Sequence, residues 1–233
     1  FLTDSTADIL PQEAAQRDID VVPLKVLFGE TAYRDGIDLD HPTFYQMLSQ
    51  SKALPTTSQP TPDDFLPYFE RARDQGDHLI CALLSSQLSG TVQSAQIARE
   101  MCGYEHIYII DSTLAIVALR AMLDLGEQLR SQGMSAPDIA AQIEAAKSRM
   151  RVFGIVDTLE YLHKGGRMST SVAVVGSLLR VKPIITLKDG VLGLVGKGVG
   201  TKGSLAGMLK QVGDDIHPDP RLPIYYGYSG DDT

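Results

Sequence analysis

The stretch Cys81-Ala-Leu-Leu-Ser-Ser-Gln-Leu-Ser-Gly-Thr-Val-Gln-Ser-Ala-Gln-Ile-Ala98 decides the fold. It continues the short apolar run that begins at Leu79 and ends at Leu84, the pattern of a buried strand. Ser85 to Thr91 is crowded with hydroxyls and holds one glycine. Val92, Ala95 and Ala98 then recur at helical spacing. A helix therefore begins at the carboxyl end of a strand, with Ser89-Gly90-Thr91 at its start. The first N–H groups of a helix have no partner within it and carry partial positive charge. Small hydroxyl residues there make a natural anion site.

The same alternation extends in both directions. Phe1-Leu2 is the stub of a first strand, followed by Thr3-Asp4-Ser5-Thr6, in which Asp4 or Ser5 caps the next turn. Pro11 to Arg17 is a short helix. Val21 to Phe28 is one extended segment, its Pro23 suited to an edge, and Gly29-Glu30 turns it back through Ala32-Tyr33-Arg34. His41-Pro42 opens a helix with an apolar face, and Thr61-Pro62-Asp63-Asp64 opens another. Pro55 to Pro60 between them is a proline-bracketed hydroxyl loop. Downstream, His106 to Ile110 is a strand ending in Asp111-Ser112-Thr113. Leu114 to Arg130 is a long helix closed by Gly133, and Ser135 caps a helix through Arg149. Strands alternating with helices predict a doubly wound parallel α/β domain over 1–150, with a small hairpin insertion at about 21–40. Crevices in such sheets lie at the strand carboxyl ends. Thr3 to Thr6, Ser85 to Thr91 and Asp111 to Thr113 all fall on that edge.

The pattern changes at Arg151. Val152 to Val156 is a strand, Leu159 to Leu162 one helical turn, and Val172 to Leu179 a helix. Two strands flank Lys188-Asp189-Gly190, an Asp-Gly hairpin signal. Gly203 to Val212 is helical and Leu222 to Tyr228 a last strand. Residues 151–233 thus predict an α+β domain with a mainly antiparallel sheet. The chain opens without Met on what reads as a strand cut mid-way, and both ends are expected to be incomplete.

Composition narrows the function classes. The 233 residues are 43% hydrophobic and 21% charged, ordinary values for a globular protein. A net charge of −8 and a pI near 5.1 argue against nucleic acid or an anionic membrane as the main partner. Two cysteines make no disulfide framework and fit a reducing cytoplasm, with Cys81 a small core residue. No apolar run has the length of a membrane span, and no signal peptide is visible.

Catalytic signatures are missing. There is no Gly-x-Ser-x-Gly elbow, no phosphate loop of the Gly-x-x-x-x-Gly-Lys type and no dinucleotide fingerprint. Gly196-x-Gly198-x-Gly200 lies in the hairpin half, not after a parallel strand. The histidines at 41, 78, 106, 163 and 217 lack metal-ligand spacing, and His78 and His106 are read as surface residues. Three stretches carry chemistry. Thr56-Thr57-Ser58 and Ser85 to Ser89 are hydroxyl clusters whose plain alternative is turn and helix capping. Gly165-Gly166-Arg167-Met168-Ser169 combines two permissive glycines with a guanidinium that forks onto carboxylate or phosphate. Its plain alternative is a structural salt bridge.

Nine short motifs occur in order: Thr3-Asp4-Ser5-Thr6-Ala7-Asp8, Val22-Pro23-Leu24, Tyr33-Arg34-Asp35-Gly36, Thr57-Ser58-Gln59-Pro60, Leu88-Ser89-Gly90-Thr91, Asp111-Ser112, Leu159-Glu160-Tyr161-Leu162, Gly165-Gly166-Arg167 and Lys182-Pro183-Ile184. Together they resemble the bacterial DegV family of fatty-acid-binding proteins over nearly the whole chain. The resemblance implies an N-terminal doubly wound domain, a C-terminal α/β domain and a long-chain fatty acid in an apolar tunnel between them. It implies that Thr57, Ser58, Ser89 and the Gly90 N–H receive the carboxylate, and that Arg167 and Tyr228 stand near the portal, toward phosphate or a partner. It implies no catalysis and no cofactor. The acid would be presented to a separate ATP-dependent fatty acid kinase subunit, and the acyl phosphate would serve phospholipid synthesis. Two departures bear on that coupling: Tyr228 stands where family members often carry His, and Lys197-Gly198-Val199-Gly200 where an Arg is common.

Physical chemistry is consistent with such a ligand. A buried carboxylate needs several donors or a dipole. Each buried CH₂ contributes about 0.8 kcal/mol, so a tail of roughly sixteen carbons supplies on the order of 10 kcal/mol before ordering costs. Phe28, Ile155, Met168, Val172 and Leu178 are candidate tunnel residues by position. Two other classes fit the same residues: a phosphotransferase or hydrolase using the hydroxyl crevice on a small polar substrate, and a lipid-sensing regulator.

Overall fold

The structure, a computed structural model, describes residues 1–168, 180–215 and 223–229. The chain divides into two compact units, Phe1–Met150 and Arg151–Thr233. The first unit begins β1 (Leu2–Asp4), α1 (Pro11–Arg17), β2 (Asp20–Val22), β3 (Lys25–Phe28), β4 (Thr31–Arg34), α2 (His41–Gln50) and β5 (Thr56–Ser58). It continues through α3 (Pro62–Gln75), β6 (Leu79–Leu83), α4 (Thr91–Cys102), β7 (Ile107–Asp111), α5 (Val117–Ser131) and α6 (Ala136–Lys147).

Four of these strands form a parallel sheet in the order β2-β1-β6-β7. Side chains alternate across a strand, and β6 shows what each face meets. Leu79, Cys81 and Leu83 join a core with Phe65, Phe69 and Ala72 of α3 and Val92, Ala95 and Ala98 of α4. Ile80 and Ala82, equally buried, point to the face where α5 and α6 pack. Arg17 of α1 pairs with Asp124 and Glu127 of α5, which places α1 on that second face. The sheet is doubly wound. Phe65 and Phe69 are fully buried with ring centroids 5.8 Å apart, and each such side chain contributes about 1.5–3 kcal/mol.

The strand order also locates the crevice. From β1 the chain winds outward through α1 to β2, and from β6 it winds the other way through α4 to β7. The direction reverses between β1 and β6, so their carboxyl ends form the topological switch point at which open α/β sheets bind ligands.

A second, antiparallel sheet has the order β4-β3-β5. Gly29-Glu30 makes its two-residue turn, as its chemistry predicts. Two expectations change here. Val21 to Phe28 is not one strand: β2 belongs to the parallel sheet and β3 to the small one. The chain passes from one sheet to the other at Pro23-Leu24, where proline offers no N–H to a ladder. Residues 56–58, expected as a loop, form the third strand, with Thr57 opposite Val26 and Ser58 opposite Lys25. Helix α2 turns Phe44, Met47 and Leu48 to its half-buried side, and the Phe44 ring lies 6.1 Å from that of Phe28.

The second unit contains β8 (Val152–Ile155), α7 (Glu160–Lys164), β9 (Val181–Lys188), β10 (Val191–Val199) and α8 (Gly200–Asp215). Its sheet is antiparallel, in the order β10-β9-β8. Asp189 and Gly190 both have positive φ, +51° and +82°, as the tight Asp-Gly hairpin requires. Helix α8 packs on all three strands. The expected helix from Val172 to Leu179 lies outside the described residues. The expected last strand does not form in its described part: residues 223–228 have no regular structure, and Ile224 and Tyr226 are exposed. Their composition favours extension, but a strand exists only where its backbone groups are paired. Among the described residues, no helix is long and apolar enough to cross a membrane.

Candidate functional site

Three polar segments meet at the carboxyl edge of the parallel sheet. Thr3 Oγ1 donates to the Ala82 carbonyl at 2.8 Å. Asp4 is fully buried at the end of β1. Its Oδ2 accepts from Leu84 N at 2.7 Å, and its Oδ1 accepts from Thr6 N at 3.0 Å and from Thr6 Oγ1 at 2.6 Å. Burial pushes the Asp4 carboxyl above its ordinary range, while the bonds from Leu84 and Thr6 pull it back in part. At the end of β7, Asp111 Oδ1 accepts from Ser86 N and from Thr113 N, each at 3.1 Å, and Asp111 Oδ2 accepts from Ser86 Oγ. Ser85 and Ser112 are buried at the same edge: Ser85 N donates to the Leu114 carbonyl and Ser112 N to the Leu83 carbonyl. The turn after β6 is thus held from both neighbouring strands.

That turn delivers the start of α4. Gly90 is the residue before the first helical turn and gives it no side-chain cap. Ser94 N closes that turn onto the Gly90 carbonyl at 3.0 Å. Ser89 Oγ and Thr91 Oγ1 are hydrogen-bonded at 2.9 Å. Ser89 is half-buried and Thr91 buried, so the pair lies at the boundary between core and crevice.

The second hydroxyl segment reaches this place through Gln59. Its Nε2 donates to the Gly90 carbonyl at 3.2 Å and to Ser94 Oγ at 3.0 Å. Gly90 leaves room for the amide, since a Cβ there would lie 2.0 Å from Gln59 Oε1 and the amide would have to shift. Strand β5 and the start of α4 are therefore joined. Thr57 and Ser58 are successive residues of β5, and neighbours on a strand point to opposite faces. Ser58 Oγ donates to the Gln59 carbonyl at 3.2 Å. Sequence reasoning placed Gln59 in a motif but gave it no role. The signal available was a long neutral amide following two hydroxyls, which on its own names no partner.

The remaining expected residues belong to β3 and to the second unit. Phe28 is half-buried on β3, its ring edge-on to Tyr33 and Phe44. In the second unit, Ile155 is half-buried at the end of β8 and Met168 is buried. Val172 and Leu178 lie outside the described residues. Gly165 and Gly166 end α7, and the exposed Arg167 donates through Nη1 to the Gly165 carbonyl. Tyr228 is exposed in the irregular segment.

Other chemistries find little here. Among the described residues, no group of three His, Cys, Asp or Glu is placed to hold a metal. Burial pushes the Cys81 thiol up to about 12, which makes it a core atom and not a nucleophile. His78 and His106 stack at 4.2 Å where β6 and β7 begin, at the opposite end of the sheet from the crevice.

Comparison with known proteins gives one direction. A family model described as "Uncharacterised protein, DegV family" matches residues 1–232. Protein DegV of Bacillus subtilis is 37% identical over 192 residues, 82% of this chain and 68% of that protein. A solved DegV family protein from Thermus thermophilus, described by its fatty acid binding, superposes with a TM-score of 0.82 at 32% identity, over 91% of this chain and 76% of that one. The Fatty Acid Kinase (Fak) B3 protein of Streptococcus pneumoniae, solved loaded with linoleic acid, gives a TM-score of 0.79 at 25% identity, over 91% and 77%.

Proposed function

We propose that this chain, which belongs to the DegV family, binds a long-chain fatty acid and holds its carboxylate at the crevice between β5 and the start of α4. The observation that carries this is the bridge from Gln59 to Gly90 and Ser94, which brings the two hydroxyl segments to one place at the switch point of the sheet. Thr57 Oγ1, Ser89 Oγ and the first N–H groups of α4 are the proposed donors. Together they meet a carboxylate's need for several hydrogen bonds without a buried cation. The tail occupies an apolar tunnel, with Phe28 as a proposed contact. The fatty acid binding of the Thermus thermophilus protein and the linoleic acid of the Streptococcus pneumoniae protein support the choice of ligand.

On this reading the protein does no covalent chemistry. It carries the acid in the cytoplasm and presents the carboxylate to a separate ATP-dependent kinase subunit, which makes the acyl phosphate. The likeness to the Fatty Acid Kinase (Fak) B3 protein supports that second step. Mass spectrometry of the denatured protein tests the first. Recovery of a long-chain fatty acid, or stoichiometric uptake of added stearic acid, is the expected result. Absence of both copurified lipid and uptake would sink the proposal.

A further inference from the structure

Strand β5 is three residues long, exposed throughout, and lies at the edge of its sheet, where only the ladder to β3 holds it. Such a strand is a weak platform for a hydroxyl that has to meet a head group accurately. Its second tether is Gln59, the residue that follows it. Both acceptors of Gln59 Nε2 lie at the start of α4: the Gly90 carbonyl, which also closes the first helical turn, and Oγ of Ser94, a residue only 3% exposed. Gly90 leaves the space the amide fills: an added Cβ would meet Gln59 Oε1 at 2.0 Å and Cδ at 2.6 Å. Pro60, next along, is buried, and its ring limits the backbone there. Thr57 is thus fixed by β3 on one side and, two residues on, by the helix that carries Ser89.

We infer that Gln59 is a positioning residue, an amide latch that sets Thr57 and Ser89 as a preformed pair for the ligand's carboxylate. This rests on the reading of the crevice as a carboxylate site. The amide is neutral, so it acts through geometry and leaves the net charge of the site unchanged. Without it, part of the ordering of β5 is deferred to the moment of binding and is subtracted from affinity. That cost falls on ligands that use both hydroxyls. It spares a ligand held by its tail alone.

Stearic acid and octadecan-1-ol share a tail and differ in the head group. Their affinities for the full chain, compared between wild type, Gln59→Leu, Ser94→Ala and the double variant, test the latch. Gln59→Leu is expected to weaken stearic acid about tenfold while leaving octadecan-1-ol within about twofold. Ser94→Ala, which removes one of the two anchors, is expected to give a smaller loss of the same kind. The double variant is expected to be no worse than Gln59→Leu alone, since both changes open one contact. An unchanged ratio of acid to alcohol affinity in Gln59→Leu would overturn the inference. So would an equal loss for both ligands, which would make Gln59 a structural residue only. Should Gln59→Leu fail to fold, Ser94→Ala decides by the same ratio. A wild type that binds neither ligand overturns the carboxylate site itself, and the latch with it.

Discussion

The buried Asp4 carboxylate, at the carboxyl end of β1, accepts a 2.7 Å hydrogen bond from the backbone N–H of Leu84, just beyond the end of β6. Those two strands are the pair between which the winding of the sheet reverses. The bond spans the switch point and fixes where the turn from Ser85 to Gly90 begins. All three groups that reach Asp4, the N–H groups of Leu84 and Thr6 and the Thr6 hydroxyl, donate to it.

Removing that acceptor has two measurable consequences. Asp4→Ala orphans the buried N–H of Leu84, at a cost of about 1–3 kcal/mol, and removes the acceptor of the half-buried Thr6 N–H, and its urea midpoint should fall accordingly. Asp4→Asn tests the charge. Burial raises the folded carboxyl above its ordinary value of 3.8. Between that value and the folded one, the native state holds more protons than the unfolded chain. The stability contributed by Asp4 is therefore greatest below the ordinary value and declines as pH rises through the folded one. Unfolding free energies of wild type minus Asp4→Asn should decline over that range. A difference that stays flat with pH would show that Asp4 titrates alike in both states.

The head-group donors are testable singly. Thr57→Ala and Ser89→Ala should each weaken stearic acid binding by about 1–3 kcal/mol, the loss expected for a hydrogen bond to a charged group. Ser58→Ala should change it little, because the Ser58 hydroxyl bonds to the neighbouring Gln59 carbonyl. Calorimetric titration gives all three values. If Thr57→Ala and Ser89→Ala both bind as wild type, the carboxylate lies elsewhere.

Arg167 separates carrying from coupling. It is exposed, and the two glycines before it end α7. Arg167→Ala is expected to keep wild-type affinity for stearic acid and to lower the rate of acyl-phosphate formation with a fatty acid kinase. Equal rates for both proteins would remove Arg167 from the encounter with that partner.

The elements legible from sequence are those with local causes. The apolar run before Ser85 and the hydroxyls before Val92 identify β6 and the start of α4 from adjacent residues. Gly29-Glu30 and Asp189-Gly190 likewise carry their turns within themselves. Thr56-Thr57-Ser58 was less legible, since it is a strand only by virtue of its pairing with Lys25 to Leu27. Residues 223–228 show the reverse, a strand-like composition with no ladder. Gln59 is the least legible of all. Its role depends on the space left by Gly90, 31 positions away, and nothing beside it in sequence points there.

Cys81 offers a check on the core. It is fully buried on β6, and burial pushes its thiol up to about 12. A thiol that is both inaccessible and protonated does not attack. Iodoacetamide at mildly alkaline pH should leave Cys81 unmodified in the native protein and label it once urea unfolds the chain, as peptide mass mapping would show. Rapid labelling without denaturant would mean that β6 opens far more readily than a central strand should.

Gly198 gives the corresponding check in the second unit. It sits near the end of β10, where an added Cβ would lie 2.3 Å from Ser204 Cα and 2.4 Å from Ser204 N. Both are backbone atoms of α8, so no side-chain rotation relieves the clash. Ser204 is itself buried and donates through Oγ to the Gly200 carbonyl at 2.7 Å, a bond within the first turn of α8. Gly198→Ala must therefore move α8 off the sheet, at a cost of at least the 1–3 kcal/mol typical of overpacking, roughly. Gly203→Ala is the control, since a Cβ there meets nothing within 4 Å. Thermal unfolding should show a clear loss for Gly198→Ala and little change for Gly203→Ala. If the two variants melt alike, α8 is not seated on β10 as described.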